Sequence, residues 1–184
     1  MFKIKQTPLN NIHKKLGAKL IDFGGWEMPV HYTSIIKEHN AVRNSAGLFD
    51  VSHMGELQVK GKGALENLQY ILTNDIEKLK IGEATYTLMC KKDGGILDDF
   101  LVYRTGENEY LLIVNAANIK KDYEWIKEHI NEEAQVNDLS EDYGLLALQG
   151  PKSEEILSKL TDIKKKKIKS FNFKVDKIAG KEGI

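Results

Sequence analysis

Cysteine is almost missing from this 184-residue chain. Cys90 stands alone, which excludes an intrachain disulfide framework and any multi-cysteine metal site, and suits a reducing compartment. Net charge is missing too: 27 basic and 27 acidic side chains cancel, so the electrostatic footprint of a general nucleic-acid binder is not there. No apolar run approaches the ~20 residues of a membrane-spanning helix, and Met1-Phe2-Lys3-Ile4-Lys5-Gln6 has no signal-peptide core. The expectation is a cytoplasmic protein with no nucleic-acid or membrane partner. Also absent are a Walker loop, a dinucleotide fingerprint, Cys-x-x-Cys, His-Glu-x-x-His and a Gly-x-Ser-x-Gly elbow.

What is there reads as alternating short strands and helices. Thr7-Pro8 opens a helix with Leu9, Ile12, His13 and Leu16 at helical spacing, Gly17 ends it, and His13 is expected to be a partly exposed helix residue. Asp22 through Tyr32, dense in glycine and aromatics, reads as a shaped loop with short extended pieces. Ser34 can cap a helix ending before Gly47, a strand runs over Glu56-Leu57-Gln58-Val59-Lys60, and Gly63 through Leu72 is a short helix. Asn118 can cap another, with Asp122 in its first turn and Lys127 and His129 near its end, the order the helix dipole favours. Leu145 through Gln149 is a buried-looking strand before Gly150-Pro151, and Ser170 through Ile178 a last one. Ser52-His53 is expected to be structural; His31, His39 and His53 have no metal-ligand spacing. Lys164 through Lys167 reads as a solvated loop.

The chemistry concentrates in Lys92-Asp93-Gly94-Gly95-Ile96-Leu97-Asp98-Asp99-Phe100, where two adjacent carboxylates enter an apolar strand. Tyr86–Lys91, Ile96–Arg104 and Tyr110–Asn115 form a predicted β-meander. A turn at Asp93-Gly94 sets Lys91 against Ile96 and Asp99 against Leu88. The second connection, Thr105 through Glu109, sets Arg104 against Tyr110 and so Asp99 against Asn115. Alternation then puts Tyr86, Leu88, Cys90, Leu97, Asp99, Leu101, Tyr103, Ile113 and Asn115 on one face. Thr87, Met89, Asp98, Phe100, Val102, Arg104 and Val114 take the other. Neighbours on opposite faces cannot be a cooperating acid/base pair, so at most one of Asp98 and Asp99 belongs to a site. A one-residue slip in either turn brings Asp98 forward instead. The competing structural reading has Asp98 solvated and Asp99 bonded to a nearby turn or backbone donor.

Taken in order, Thr7-Pro8-Leu9, Asp22-Phe23-Gly24-Gly25-Trp26-Glu27-Met28-Pro29, Gly47 through Glu56, Gly94-Gly95-Ile96-Leu97-Asp98-Asp99, Val114-Asn115-Ala116-Ala117-Asn118 and Leu148-Gln149-Gly150-Pro151 carry a resemblance. The chain resembles the N-terminal half of the T-protein family of the glycine cleavage system, the folate-dependent aminomethyltransferases. The resemblance implies an α+β fold with mixed or antiparallel sheets and flanking helices in two intertwined domains, the family's third, a C-terminal barrel, being absent. It implies that residues 1–50 and 145–184 form a discontinuous, incomplete folate-binding domain and 51–144 an inserted domain carrying the meander. It also implies transfer of a one-carbon unit from the aminomethyl-lipoyl arm of a lipoylated H-protein to tetrahydrofolate, with release of ammonia, within glycine catabolism and one-carbon metabolism.

Carried over residue by residue, the resemblance implies that Asp99 is the catalytic carboxylate and Asn115 the pterin-contacting amide. Tyr86, Leu101, Tyr103 and Met54 would line the cosubstrate pocket, with no metal. Asp98 is then the outward neighbour with a structural part. Alternatives are a folate domain of a demethylating oxidase or an iron-sulfur maintenance relative, or a non-catalytic fragment. Because the family's Gly-Tyr-Thr-Gly-Glu-Asp-type segment is absent, the pocket is expected to be incomplete and the polypeptide to have little or no transferase activity alone. A turnover assay is the check, and full-length-like rates contradict that expectation.

Overall fold

The structure, a computed structural model, describes residues 4–161 and 168–184. The run Lys164 through Lys167 therefore lies outside the described residues. In chain order the elements are α1 Asn10–Lys15, β1 Lys19–Phe23, β2 Trp26–His31, α2 Ile35–Asn44 and β3 Gly47–Asp50. Next come β4 Gly55–Lys60, α3 Ala64–Ile71, a 3-10 turn at Ile76–Lys78, β5 Ala84–Cys90, β6 Ile96–Gly106 and β7 Glu109–Val114. Then follow α4 Ile119–His129, β8 Gln135–Asp138, β9 Leu146–Gln149, α5 Ser153–Leu157, β10 Asp176–Ile178 and β11 Lys181–Gly183. This is an α+β fold, and every strand pair within its sheets is antiparallel. No helix among the described residues is long and apolar enough to cross a membrane.

The described residues divide into two units. The first draws on the described residues of Met1–His53, Gly144–Lys167 and Val175–Ile184. Its glycine- and aromatic-rich stretch is a β-hairpin rather than a shaped loop: Phe23 pairs with Trp26, and Gly24 and Gly25 form the two-residue turn at φ +60° and +88°. Two successive positive φ values are what such a turn needs to match strand twist, and glycine reaches them without strain. β3 pairs with β9, which is half-exposed rather than buried, Leu146 keeping 50% of its surface.

His13 is buried at 5% exposure instead of partly exposed, because α1 turns it inward while Ile12 and Leu16 face out. Its Nε2 lies 2.8 Å from Asp50 Oδ2 and its Nδ1 2.8 Å from the Tyr32 hydroxyl. Asp50 can only accept, so the Nε2 proton points at it. Burial disfavours the Asp50 charge, but bonds from neighbours that include His13 and Ser52 outweigh it and hold the carboxyl below its ordinary range. Hydrogen bonding thus overrides the helical-face reading of His13.

The second unit, Met54–Tyr143 with Ile168–Lys174, is built on one sheet in the order β5-β6-β7-β4-β8. One face is closed by α3 and α4: Leu57, Val59, Met89, Phe100, Val102, Leu112 and Val114 of the strands pack with Leu68, Ile71 and Ile126 of the helices, all buried. On the other face the strands of the meander keep half-exposed side chains. Residues Ile168–Lys174 were expected in the first unit but belong here. Ala84 N donates to Phe171 O and Phe173 N to Gly82 O, which ties the segment to the edge of β5. It is therefore not part of a strand running from Ser170; the strand there is β10, from Asp176, which turns through Ala179-Gly180 into the last strand, β11.

Leu57 is fully buried in this core. Leu57→Ala should lower unfolding free energy by about 2–5 kcal/mol, read from the urea midpoint.

Candidate functional site

Meander register decides which residues share a surface. Leu88 pairs with Asp99, Tyr86 with Leu101 and Ala84 with Tyr103; across the next ladder Leu101 pairs with Ile113 and Arg104 with Tyr110. Continuing those ladders by one or two residues aligns Leu88, Asp99, Asn115 and Met54 in one row, beside the row Tyr86, Leu101, Ile113 and Glu56. The turn itself differs from the count made on sequence. Lys91 N bonds to Gly95 O, and Cys90 rather than Lys91 pairs with Ile96. A bulge then places two residues of β6 against one of β5 and restores the register by Asp98. Leu97, expected on the Asp99 face, packs instead against the helix-covered core.

Asp98 is not solvated. It is buried at 5% exposure, and its Oδ1 accepts from Asn115 Nδ2 at 2.9 Å and Asn118 Nδ2 at 2.8 Å. Burial alone would raise its pKa; bonds from the Asp122 carboxyl, the two amides and the Asp99 main chain outweigh it and hold Asp98 low. Asp122, completely buried, takes the opposite shift and is pushed up to about 8 by burial and then by Asp98. Asp122 thus sits in the first turn of α4 not chiefly for the dipole but to face another carboxyl. Asn118 likewise spends its side chain on Asp98, not on capping the helix.

The expected grouping of acid, amide and phenol on one surface is therefore only partly formed. Asp99 is half-exposed, and no described residue bonds to its carboxylate. Tyr86 is 50% exposed, Leu101 and Met54 are half-exposed, and the Tyr103 ring meets Phe173 edge-on at 5.4 Å, where burial raises its phenol. The Asn115 amide does not reach the Asp99 carboxylate; its Nδ2 donates to Asp98 and to the main-chain O of Asp99. Its Oδ1 has no described partner. A free carboxylate and a free amide carbonyl, flanked by an exposed phenol and a leucine, suit a planar heterocycle that presents N–H groups.

Glu56 escaped the sequence reading. It lies on the Asp99 face at 1% exposure, its Oε1 has no partner among the described residues, and burial, then the Asp138 charge, push its pKa up to about 7. Its strand alternates Glu56, Gln58 and Lys60 with Leu57 and Val59, so the sequence marks Glu56 as one of a polar row and not as a buried acid. Ser52 is structural, its Oγ exchanging bonds with the Leu145 main chain. His53 lies edge-on to Phe23 at 5.6 Å, its pKa lowered by burial against the Asp50 charge. No cluster of three potential metal ligands occurs among the described residues.

Comparison with known proteins adds a family. The model of the GCVT N-terminal domain matches residues 9–184. An aminomethyltransferase of Halothermothrix orenii is 55% identical over 97% of this chain and 50% of its own length; one of Listeria welshimeri is 51% identical over 100% and 51%. The glycine cleavage system aminomethyltransferase T of Bartonella henselae is 40% identical with a TM-score of 0.81, covering 85% of this chain and 43% of that one. A heterotetrameric sarcosine oxidase from Corynebacterium, 17% identical at a TM-score of 0.54 over 80% of this chain and 74% of its own, shares the fold alone. The chain spans about half the length of the curated relatives it matches.

Asp122 and Glu56 keep their protons when folded at pH values where the unfolded chain has lost them. Their contribution is complete below the unfolded values of 3.8 and 4.5 and is lost as pH rises through about 8 and about 7. Asp98 and Asp50 act oppositely as pH falls through the ordinary aspartate range, and half-buried His53 opposes as pH falls below the ordinary imidazole value of 6.5, one group against two. The urea midpoint should therefore fall between about pH 5 and pH 8, and Asp122→Asn and Glu56→Gln should each flatten the fall. A midpoint that rises with pH across that window contradicts the assignment.

Proposed function

This chain belongs to the GCVT N-terminal domain family, and from that premise we propose that it supplies the folate side of an aminomethyltransferase of the glycine cleavage system. In the proposed reaction the whole protein takes the aminomethyl group carried on the lipoyl arm of a lipoylated H-protein, passes its one-carbon unit to tetrahydrofolate and releases ammonia. Cytoplasm is the proposed location. The observation that carries the reading is the half-exposed Asp99 carboxylate, with no partner among the described residues, on a sheet face shared with Tyr86, Leu101 and Tyr103.

Tetrahydrofolate would supply the nucleophilic nitrogen that takes up the carbon unit. Asp99 would accept a hydrogen bond from that ring system, orient the nitrogen and take up its proton during attack. Asn115 Oδ1 would accept a second N–H and fix the ring in its plane. Tyr86, Leu101 and Met54 would cover the ring and exclude water, and Tyr103, four residues along β6 and so ~13 Å from Asp99, would line the far end of a long ligand.

Isothermal titration of this chain with tetrahydrofolate tests the reading. A hydrogen bond to a charged group contributes ~1.5–3 kcal/mol, so Asp99→Asn should weaken binding about tenfold to a hundredfold. The exposed Glu107→Gln serves as the control. Unchanged affinity in Asp99→Asn, or no binding by the wild type, overturns it.

A further inference from the structure

Apart from Glu56 Oε1, three buried carboxylate oxygens are left over in the second unit: Asp98 Oδ2 and both oxygens of Asp122 meet no N–H or O–H donor among the described residues. They belong to two side chains in hydrogen-bond contact with each other, one on β6 and one on α4. Two ionised carboxylates in this position would face acceptor to acceptor, out of water, with a direct Coulombic cost and no donor between them. One proton removes the conflict. Placed on Asp122, it makes that group a donor to Asp98, leaves Asp98 as the carboxylate, and gives the pair a single negative charge.

The surroundings fit that division. Asp98 receives two amide N–H groups, from Asn115 and Asn118, as an ionised acceptor should. Asp122 receives none; the one cation near it is Lys121, whose Nζ lies 3.8 Å from Oδ1 and also bonds to the main-chain O of Leu97. Lys121 from α4 and Asp98 from β6 are the charged groups facing Asp122, and Asn115 and Asn118 beside them are neutral.

The pair also settles an orientation. An asparagine amide can be turned either way, but a carboxylate only accepts, so Asp98 requires the Nδ2 end of Asn115. The same Nδ2 bonds to the Asp99 main-chain O at 2.9 Å, locking the amide from both sides. We propose that Asp98 and Asp122 share one proton and act as a positioning pair that holds Asn115 with Nδ2 inward, thereby presenting its Oδ1 as an acceptor to any ligand bound beside Asp99. That ligand must then meet Asn115 with an N–H rather than with a carbonyl or an unprotonated ring nitrogen. This last clause rests on the folate reading above; the shared proton and the fixed amide do not.

Carbon-detected NMR of the free chain tests the pair itself. Expected is an Asp122 carboxyl carbon that stays in its protonated state to about pH 8, with the Asn115 side-chain NH2 signals moving in step as it titrates. Asp122 titrating in the ordinary range near pH ~4, or Asn115 signals indifferent to its titration, overturns the proposal. Asp122→Asn keeps a donor toward Asp98 and should leave the Asn115 signals near their wild-type positions while abolishing their alkaline movement. Asp122→Ala should release them. In tetrahydrofolate titrations Asp122→Asn should bind within about twofold of wild type and Asp122→Ala about tenfold more weakly. Tetrahydrofolate affinity unchanged in Asp122→Ala overturns the positioning role. NMR behaviour as expected in a wild type that binds no tetrahydrofolate upholds the pair and removes the folate reading.

Discussion

Burying Asp98 inside a β-sheet is the constraint around which the second unit is arranged. A carboxylate taken out of water must be given donors, and here they come from three directions: Asn115 at the end of β7, Asn118 before α4, and Asp122 in its first turn. Meeting that demand pins α4 against the sheet, fixes the strand end that carries Asn115, and leaves Asp99 as the partner pointing the other way. Adjacent residues of one strand thus divide the work. One carboxylate takes two amide donors from the protein, and the other takes none from the described residues.

The division follows from strand periodicity. With a repeat of two, no side chain on β6 can serve both the helix-covered core and the open face. Phe100 and Val102 continue the Asp98 side into the core, while Leu101 and Tyr103 continue the Asp99 side. A polar group on the covered side is costly, and the asparagines and the protonated carboxyl offset that cost. On the other side Asp99 stays half-exposed.

Much of this was legible in the chain. Turn chemistry and apolar runs located the meander, and counting from the two turns gave the pairs Leu88 with Asp99 and Arg104 with Tyr110. The first count reached the right pair through a compensation: the turn closes one residue differently, and the bulge at Leu97 repairs it. Nothing in Ile96-Leu97-Asp98 announces a bulge, because its cause is packing of Leu97 into the core. Tertiary hydrogen bonds hid the rest. On sequence Asp98 takes an outward, structural place and its burial goes unseen because its three partners lie 17 to 24 residues away, and His13 stays partly exposed because Asp50 lies 37 residues on. The Gly24-Gly25 hairpin, by contrast, carried its signal locally, in two adjacent residues that tolerate positive φ.

The central claim is that the face bearing Asp99, and not the face bearing Asp98, meets the ligand. Met54 continues the row of Asp99 and is half-exposed, whereas Met89 pairs with Asp98 and is fully buried. Methyl-labelled methionine spectra recorded during tetrahydrofolate addition compare the two directly. The account predicts that the Met54 methyl shifts with ligand while Met89 stays in place; a Met89 shift with Met54 unmoved would contradict it.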